Sequence, residues 1–113
     1  IISFRDDYYS YLSNSDIFVL NSYFEGMPSI LVEAVSTNAK IISTNCKHGP
    51  SELLKGVPES ILIDINNEIQ LVNAINYFST GKKIRRKSVA HLKDFFLEES
   101  IRKYIEIFKK IID

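Results

Sequence analysis

The chain has 113 residues, 45% hydrophobic and 25% charged, with a formal net charge of zero, which is the size and composition of one globular domain able to bury its own core. A single cysteine, Cys46, excludes an internal disulfide and fits a reducing compartment. No apolar run approaches the roughly 20 residues needed to cross a bilayer as a helix.

Taken in order, Ile1-Ile2-Ser3-Phe4 reads as the end of a strand with no initiator Met, so further sequence is expected upstream. Asp6 to Ser13 predicts a short helix carrying Tyr8, Tyr9, Tyr11 and Leu12. Tyrosines at this spacing are expected to pack between elements, a sugar-stacking surface being the alternative. Ile17-Phe18-Val19-Leu20 is a continuous apolar run, the pattern of a strand buried on both faces. Asn21 to Gly26 is a polar loop. Pro28 is suited to the first position of a helix, where its missing N–H is harmless. Leu31, Ala34, Val35 and Asn38 follow helical spacing, and Asn38 is expected to stop the helix in a left-handed conformation after about Thr37.

Lys40 to Thr44 carries a second strand, centred on Ile41-Ile42, and Lys40 at its entrance looks unremarkable. Gly49-Pro50-Ser51 opens a short helix over Glu52 to Lys55, and Ile61-Leu62-Ile63 is a third strand. Asn67 is placed to cap a helix to about Phe78, with Leu71, Ala74, Ile75 and Phe78 on one side and Gly81 as its breaker. From Lys82 onward the reading is helical: one segment from about Lys83 to Phe95, then Glu99 to Ile112 with Ile101, Tyr104, Ile105, Phe108 and Ile112 on one stripe. Alternating strands and helices imply an α/β fold, a parallel sheet with helices on both faces.

Charge follows the same division. Residues 1–78 hold four basic and nine acidic side chains, whereas residues 79–113 hold ten basic and five acidic. The second group reads as a solvated helical face. A peripheral contact with anionic lipid through Lys82, Lys83, Arg85, Arg86 and Lys87 is the alternative. Without interleaved aromatics or a recognised motif, nucleic-acid binding is not expected there.

The chemistry concentrates between Ser22 and Ala34. A buried strand ends at Leu20, a loop brings Glu25 and Gly26 to the carboxyl edge of the sheet, and a helix begins at Pro28. In open α/β sheets ligands bind at that edge. The helix start offers unpaired N–H groups and a partial positive charge, an arrangement suited to phosphate. Gly26 permits close approach to the backbone. Glu33, about a turn and a half into the helix, is placed to accept hydrogen bonds from vicinal hydroxyls such as those of a ribose.

Glu25 and Glu33, with seven residues between them, resemble the E-x7-E motif of glycosyltransferase family 4, whose members are retaining enzymes of the two-domain GT-B fold. The flanks are similar as well: Ser15-Asp16-Ile17-Phe18-Val19-Leu20-Asn21-Ser22 before the motif, Glu25-Gly26-Met27-Pro28 and Leu31-Val32-Glu33-Ala34 within it, and Cys46 to Leu54 after it. The similarity covers about residues 3–112. It implies the C-terminal, Rossmann-like, nucleotide-sugar-binding half of such an enzyme, divided into an α/β part over 1–80 and C-terminal helices over 81–113.

By the same resemblance Glu25 is the catalytic residue, touching hydroxyls of the transferred sugar, and Glu33 holds the ribose. Glu25, Gly26, Met27, Pro28, Ser29, Ile30, Leu31 and Glu33 together form the donor site, with backbone N–H groups near Met27 to Leu31 meeting the sugar and diphosphate. No cofactor or metal is implied. The implied partners are a nucleotide sugar, UDP-linked, and a glycan or lipid-linked acceptor held by an N-terminal domain outside these residues. The implied setting is the cytoplasm, in bacterial surface-polysaccharide synthesis, with an N-acetylhexosamine donor suggested by the style of Gly49 to Leu54. The family's usual Gly and Pro are replaced by Asn38 and Lys40, and its diphosphate-clamping Arg and Lys lie upstream, so the segment alone is expected to be inactive.

Other polar residues carry plainer readings. His48 is expected to be an exposed loop histidine, Glu52 a first-turn helix carboxylate, and Cys46 a small packed residue. Cys46-Lys47-His48 lacks the further ligands of a metal site. Ser79-Thr80-Gly81-Lys82-Lys83 lacks the first glycine and final hydroxyl of a phosphate loop. The alternative reading of the whole chain is a non-catalytic, doubly wound α/β module for binding or regulation.

Overall fold

A computed structural model describes residues 5–81 and 90–112. Three strands form one parallel sheet in the order β1-β2-β3: β1 Ile17–Leu20, β2 Lys40–Thr44 and β3 Ser60–Ile63. The register pairs Phe18 with Ile41 and Ile42 with Ile61. Helices supply the crossovers that parallel strands require: α2, Ser29–Ser36, between β1 and β2, and α3, Pro50–Leu53, between β2 and β3. Helix α1, Tyr8–Asn14, precedes the sheet, and α4, Glu68–Thr80, follows it.

Successive strand residues face opposite sides, so Ile41 and Ile42 each found a separate core. Ile41 packs with Leu12, Leu31, Ala34, Val35, Leu53, Leu54, Val57 and Leu92, on the side of α1, α2 and α3. Ile42 packs with Ile63, Ala74 and Phe78 beneath α4. This is the expected α/β architecture, a Rossmann-like parallel sheet with helices on both faces.

The doubly buried strand is β2 rather than β1. Every residue of β2 is buried, although only Ile41 and Ile42 are apolar. Strand β1 is only partly buried, with Val19 exposed. Among the described residues β1 has a single neighbour, so its continuous apolar run does not give burial on both faces.

Two helix ends differ from the sequence pattern. Pro28 caps α2 rather than occupying its first turn: its carbonyl accepts from the N–H groups of Leu31 at 2.9 Å and Val32 at 3.4 Å. Asn38 does not stop the helix in a left-handed conformation; among the described residues the non-glycine positions of positive φ are His48, Glu59 and Asn66. Thr37 ends α2 instead. Its backbone is extended, and its hydroxyl donates to the Ala34 carbonyl at 2.8 Å and accepts from the Ala39 N–H at 3.2 Å. The side chain thereby replaces the backbone bonds that a left-handed residue would have allowed.

Lys40 is far from unremarkable. It is buried, and its ammonium donates to the carbonyls of Phe78 at 2.6 Å and Gly81 at 3.4 Å, at the carboxyl end of α4. A cation suits that end of a helix dipole. Asn67 caps the other end of α4 as expected, its side chain accepting from the Gln70 N–H at 3.0 Å.

Residues 82–89, which hold the basic run Lys82, Lys83, Arg85, Arg86 and Lys87 and the first part of the helix expected over Lys83 to Phe95, lie outside the described residues. Ala90–Phe95 is a 3-10 helix rather than an α-helix, a common form for a short connector, and Leu92 enters the core from it. Helix α5, Leu97–Ile112, follows. Its polar face is tied by Arg102 to Glu99 and Glu106. Ile101, Tyr104, Ile105, Phe108 and Ile112 share one side as their spacing predicts, yet all are exposed and no residue of α5 is buried. No helix among the described residues is long and apolar enough to cross a membrane.

Candidate functional site

The carboxyl edge of the sheet gathers the predicted residues. Beyond β1 the backbone ladder with β2 stops, and a side chain continues it. Thr44, at the end of β2 and 1% exposed, donates its hydroxyl to the Ser22 carbonyl at 2.6 Å and accepts from the Ser22 N–H at 3.0 Å. Ser22 is thus fixed to the sheet through both backbone groups. Its own hydroxyl donates to Glu25 Oε1 at 2.6 Å. The loop glutamate is therefore held on a short chain of hydrogen bonds rooted in the buried strand, and its second oxygen is not used by that chain.

Gly26 and Met27 follow on the exposed side of the loop, Pro28 is buried, and Ser29 and Ile30 open α2. The N–H groups of Ser29 and Ile30 have no acceptor within their own helix, and the first turn contains no acidic side chain. Leu31 sits differently from its neighbours. It is fully buried and its N–H is engaged by Pro28, so it supports the loop from beneath.

Glu33 lies on another side of α2, toward α1. It is partly buried, and Tyr8 donates its phenol to Glu33 Oε2 at 2.8 Å. That bond, with the nearby carboxylate charge, raises the Tyr8 pKa above its ordinary value.

A second loop supports the first. His48 and Gly49 have φ of 66° and 83°, a reversal that turns the chain from β2 into α3. A Cβ at Gly49 would lie 2.7 Å from Pro28 Cδ and 2.8 Å from the Gly26 carbonyl oxygen, so the two loops meet backbone to backbone. Beside this contact is an open cavity of about 410 Å³ lined by Gly26, Met27, His48, Gly49, Glu52, Leu53, Lys55 and Phe95. His48 is exposed and Glu52 stands in the first turn of α3, both as expected, and both face this cavity. Cys46 is buried at 2% exposure, again as its type suggests.

The site therefore has two wings. Gly26 and Met27 face the cavity near α3, whereas Glu33 faces α1, and the start of α2 stands between them. Sequence spacing assigns no site role to Ser22 or Thr44, and reads Tyr8 as a packing residue rather than as a partner of Glu33. Ser22 lies within the recognisable flank of the motif, but its partner is 22 residues away. Tyr8 and Glu33 are 25 apart, and such pairings have no local signature.

The sequence profile of the family described as glycosyl transferases group 1 matches residues 1–93. Among curated relatives, the chain is 36% identical over 75 residues to the UDP-Gal:alpha-D-GlcNAc-diphosphoundecaprenol alpha-1,3-galactosyltransferase of Escherichia coli, covering 66% of this chain and 19% of that protein. It is 27% identical over 112 residues to the N,N'-diacetylbacillosaminyl-diphospho-undecaprenol alpha-1,3-N-acetylgalactosaminyltransferase of Campylobacter jejuni, covering 96% of this chain and 30% of that protein. An uncharacterised glycosyltransferase of Methanocaldococcus jannaschii is 39% identical over 54 residues, 48% of this chain and 13% of its own length. The chain spans less than a third of the length of each of these relatives. No solved structure matches it. With the profile covering most of its length, the chain belongs to the group 1 glycosyl transferases.

Proposed function

We propose that these residues form the donor side of a retaining glycosyltransferase of the family 4 type, with a nucleotide sugar, UDP-linked, bound at the carboxyl edge of the sheet. Glu25 accepts hydrogen bonds from hydroxyls of the transferred sugar. Glu33 receives the two ribose hydroxyls. The N–H groups opening α2 face the diphosphate, and the helix dipole stabilises its negative charge as the sugar departs. The reaction needs no metal in this reading. The acceptor is a glycan or lipid-linked glycan, met at the cytoplasmic side during surface-polysaccharide synthesis.

One observation carries the reading. A carboxylate anchored through Ser22 to a buried strand end stands just before a helix start whose first turn has no acidic side chain. That pairs a hydroxyl acceptor with an anion site, as a sugar diphosphate requires. The names of relatives support the substrate class, since two specify diphospho-undecaprenol acceptors and alpha linkages. An alpha linkage from an alpha-configured nucleotide sugar is the outcome of retention.

The test is titration of the full-length protein with UDP and GDP, followed by donor turnover. Glu33→Ala is expected to weaken nucleotide binding, and Glu25→Ala to lower turnover while leaving nucleotide affinity near wild type. Wild-type kinetics in both variants would remove both glutamates from the site. Failure of millimolar UDP and GDP to raise the melting temperature would favour a non-catalytic α/β module instead.

A further inference from the structure

Helix α1 is docked on α2 by a short, ordered seam. Leu12 is buried in one core cluster with Leu31, Ala34 and Val35. Tyr8, four residues before Leu12, shares its helix face, and its hydroxyl reaches Glu33 Oε2 at 2.8 Å. Beside it the hydroxyls of Tyr9 and Ser36 lie 3.3 Å apart. Glu33 and Ser36 are one turn apart on α2, so two phenols grip a single turn of that helix.

The two grips differ in what they leave available. Ser36 also donates to the Glu33 carbonyl at 2.6 Å, an internal helix contact. An ionised carboxylate has about four acceptor positions, and Tyr8 occupies one of them. The others remain for a ligand. Tyr8 is 43% exposed, so it adds little to the core, and its hydroxyl is the part with a defined partner. Glutamate on a helix otherwise samples several rotamers, and fixing one beforehand lowers the entropy lost when a ligand binds.

We propose that Tyr8 is a positioning residue for the donor nucleotide: its hydroxyl holds Glu33 in the rotamer that receives the ribose diol. This rests on the assignment of Glu33 to the ribose under the proposed function. A phenol, whose ordinary pKa is about 10, is protonated through the neutral range, and the bond to Glu33 moves Tyr8 further in the same direction, so it acts there as a donor to the carboxylate.

Calorimetric titration of the full-length protein with UDP and 2′-deoxy-UDP tests this, using GDP and 2′-deoxy-GDP if guanine is the base bound. Tyr8→Phe keeps the ring and removes the oxygen. It is expected to weaken UDP about three- to tenfold, the range of one hydrogen bond to a charged group partly replaced by water, at an unchanged melting temperature. It should weaken 2′-deoxy-UDP less, narrowing the discrimination between the two. Tyr8→Phe combined with Glu33→Ala should bind no more weakly than Glu33→Ala alone. Tyr9→Phe, which alters the same seam away from Glu33, should bind as wild type.

Wild-type affinity in Tyr8→Phe, with Glu33→Ala impaired, would overturn the positioning role alone. Equal losses in Tyr8→Phe and Tyr9→Phe would overturn it in favour of a general effect of the seam. Wild-type UDP binding in Glu33→Ala would overturn the ribose assignment, and the role of Tyr8 with it.

Discussion

Substituting Gly49 by Ala places a methyl group where two backbones meet. Gly49 has φ of 83° and ψ of −74°, close to the strained γ-turn of positive φ. An L-residue at positive φ costs about 1–2 kcal/mol even in the milder left-handed helical region. The added Cβ would also stand 2.7 Å from Pro28 Cδ and 2.8 Å from the Gly26 carbonyl oxygen, neither of which is the free end of a flexible side chain. Overpacking of this kind typically costs about 1–3 kcal/mol. The sum is roughly 2–5 kcal/mol, a large part of the about 5–15 kcal/mol that holds a typical domain folded. Gly56 supplies the control. Its φ is 75°, yet a Cβ there meets nothing within 4 Å. Gly56→Ala should therefore lose only the conformational part. Urea unfolding of both variants gives, as their difference, the steric part together with the extra strain of the Gly49 γ-turn. Relief of the clash requires the loop bearing Gly26 to move outward, so nucleotide affinity should fall in Gly49→Ala and hold in Gly56→Ala. Equal stability losses in the two variants would refute the backbone contact.

Two further perturbations separate the site from its scaffold. Thr44→Val keeps the shape of a buried side chain but leaves both backbone groups of Ser22 without their partner, at a cost of about 1–3 kcal/mol. Donor turnover should fall with it and return in Thr44→Ser, and a Thr44→Val variant as stable and active as Thr44→Ser would discount the latch. Lys40→Ala removes the cation from the carbonyls of Phe78 and Gly81 and should lower the urea midpoint. Lys40 lies four residues from Thr44 along β2, about 13 Å at strand rise, so nucleotide affinity should be unchanged. A matched loss of affinity would show that the two edges are coupled.

The strands were legible because each contains an uninterrupted apolar run between breakers, in β2 only Ile41-Ile42, and the helix after Asn67 because its cap and its periodicity agree. Burial was less legible. Ile17 to Leu20 look like a central strand, but burial depends on neighbours, and the polar-ended β2 holds the centre. Likewise α5 has the predicted apolar stripe, but periodicity fixes only which residues share a face, not whether anything covers it. The end of α2 falls near Thr37 as expected, but its stop differs, because Asn38 permits a left-handed turn while Thr37 makes one unnecessary. At the site, the glutamates and the helix start follow from local order and spacing. Their supports do not. Ser22 with Thr44 and Glu33 with Tyr8 are meetings of distant segments, produced by strand pairing and helix docking.

Cys46, the chain's one thiol, follows Thr44 by two residues and precedes the reversal at His48 and Gly49 by as little, on the segment that joins the end of β2 to that turn. It is buried at 2% exposure. A thiol reacts as its anion and only where a reagent can reach it. The chain thus carries, without any labelling, a chemical clock for the opening of this segment. Its rate of modification follows how often the segment between β2 and the Gly49 turn opens enough to admit a reagent.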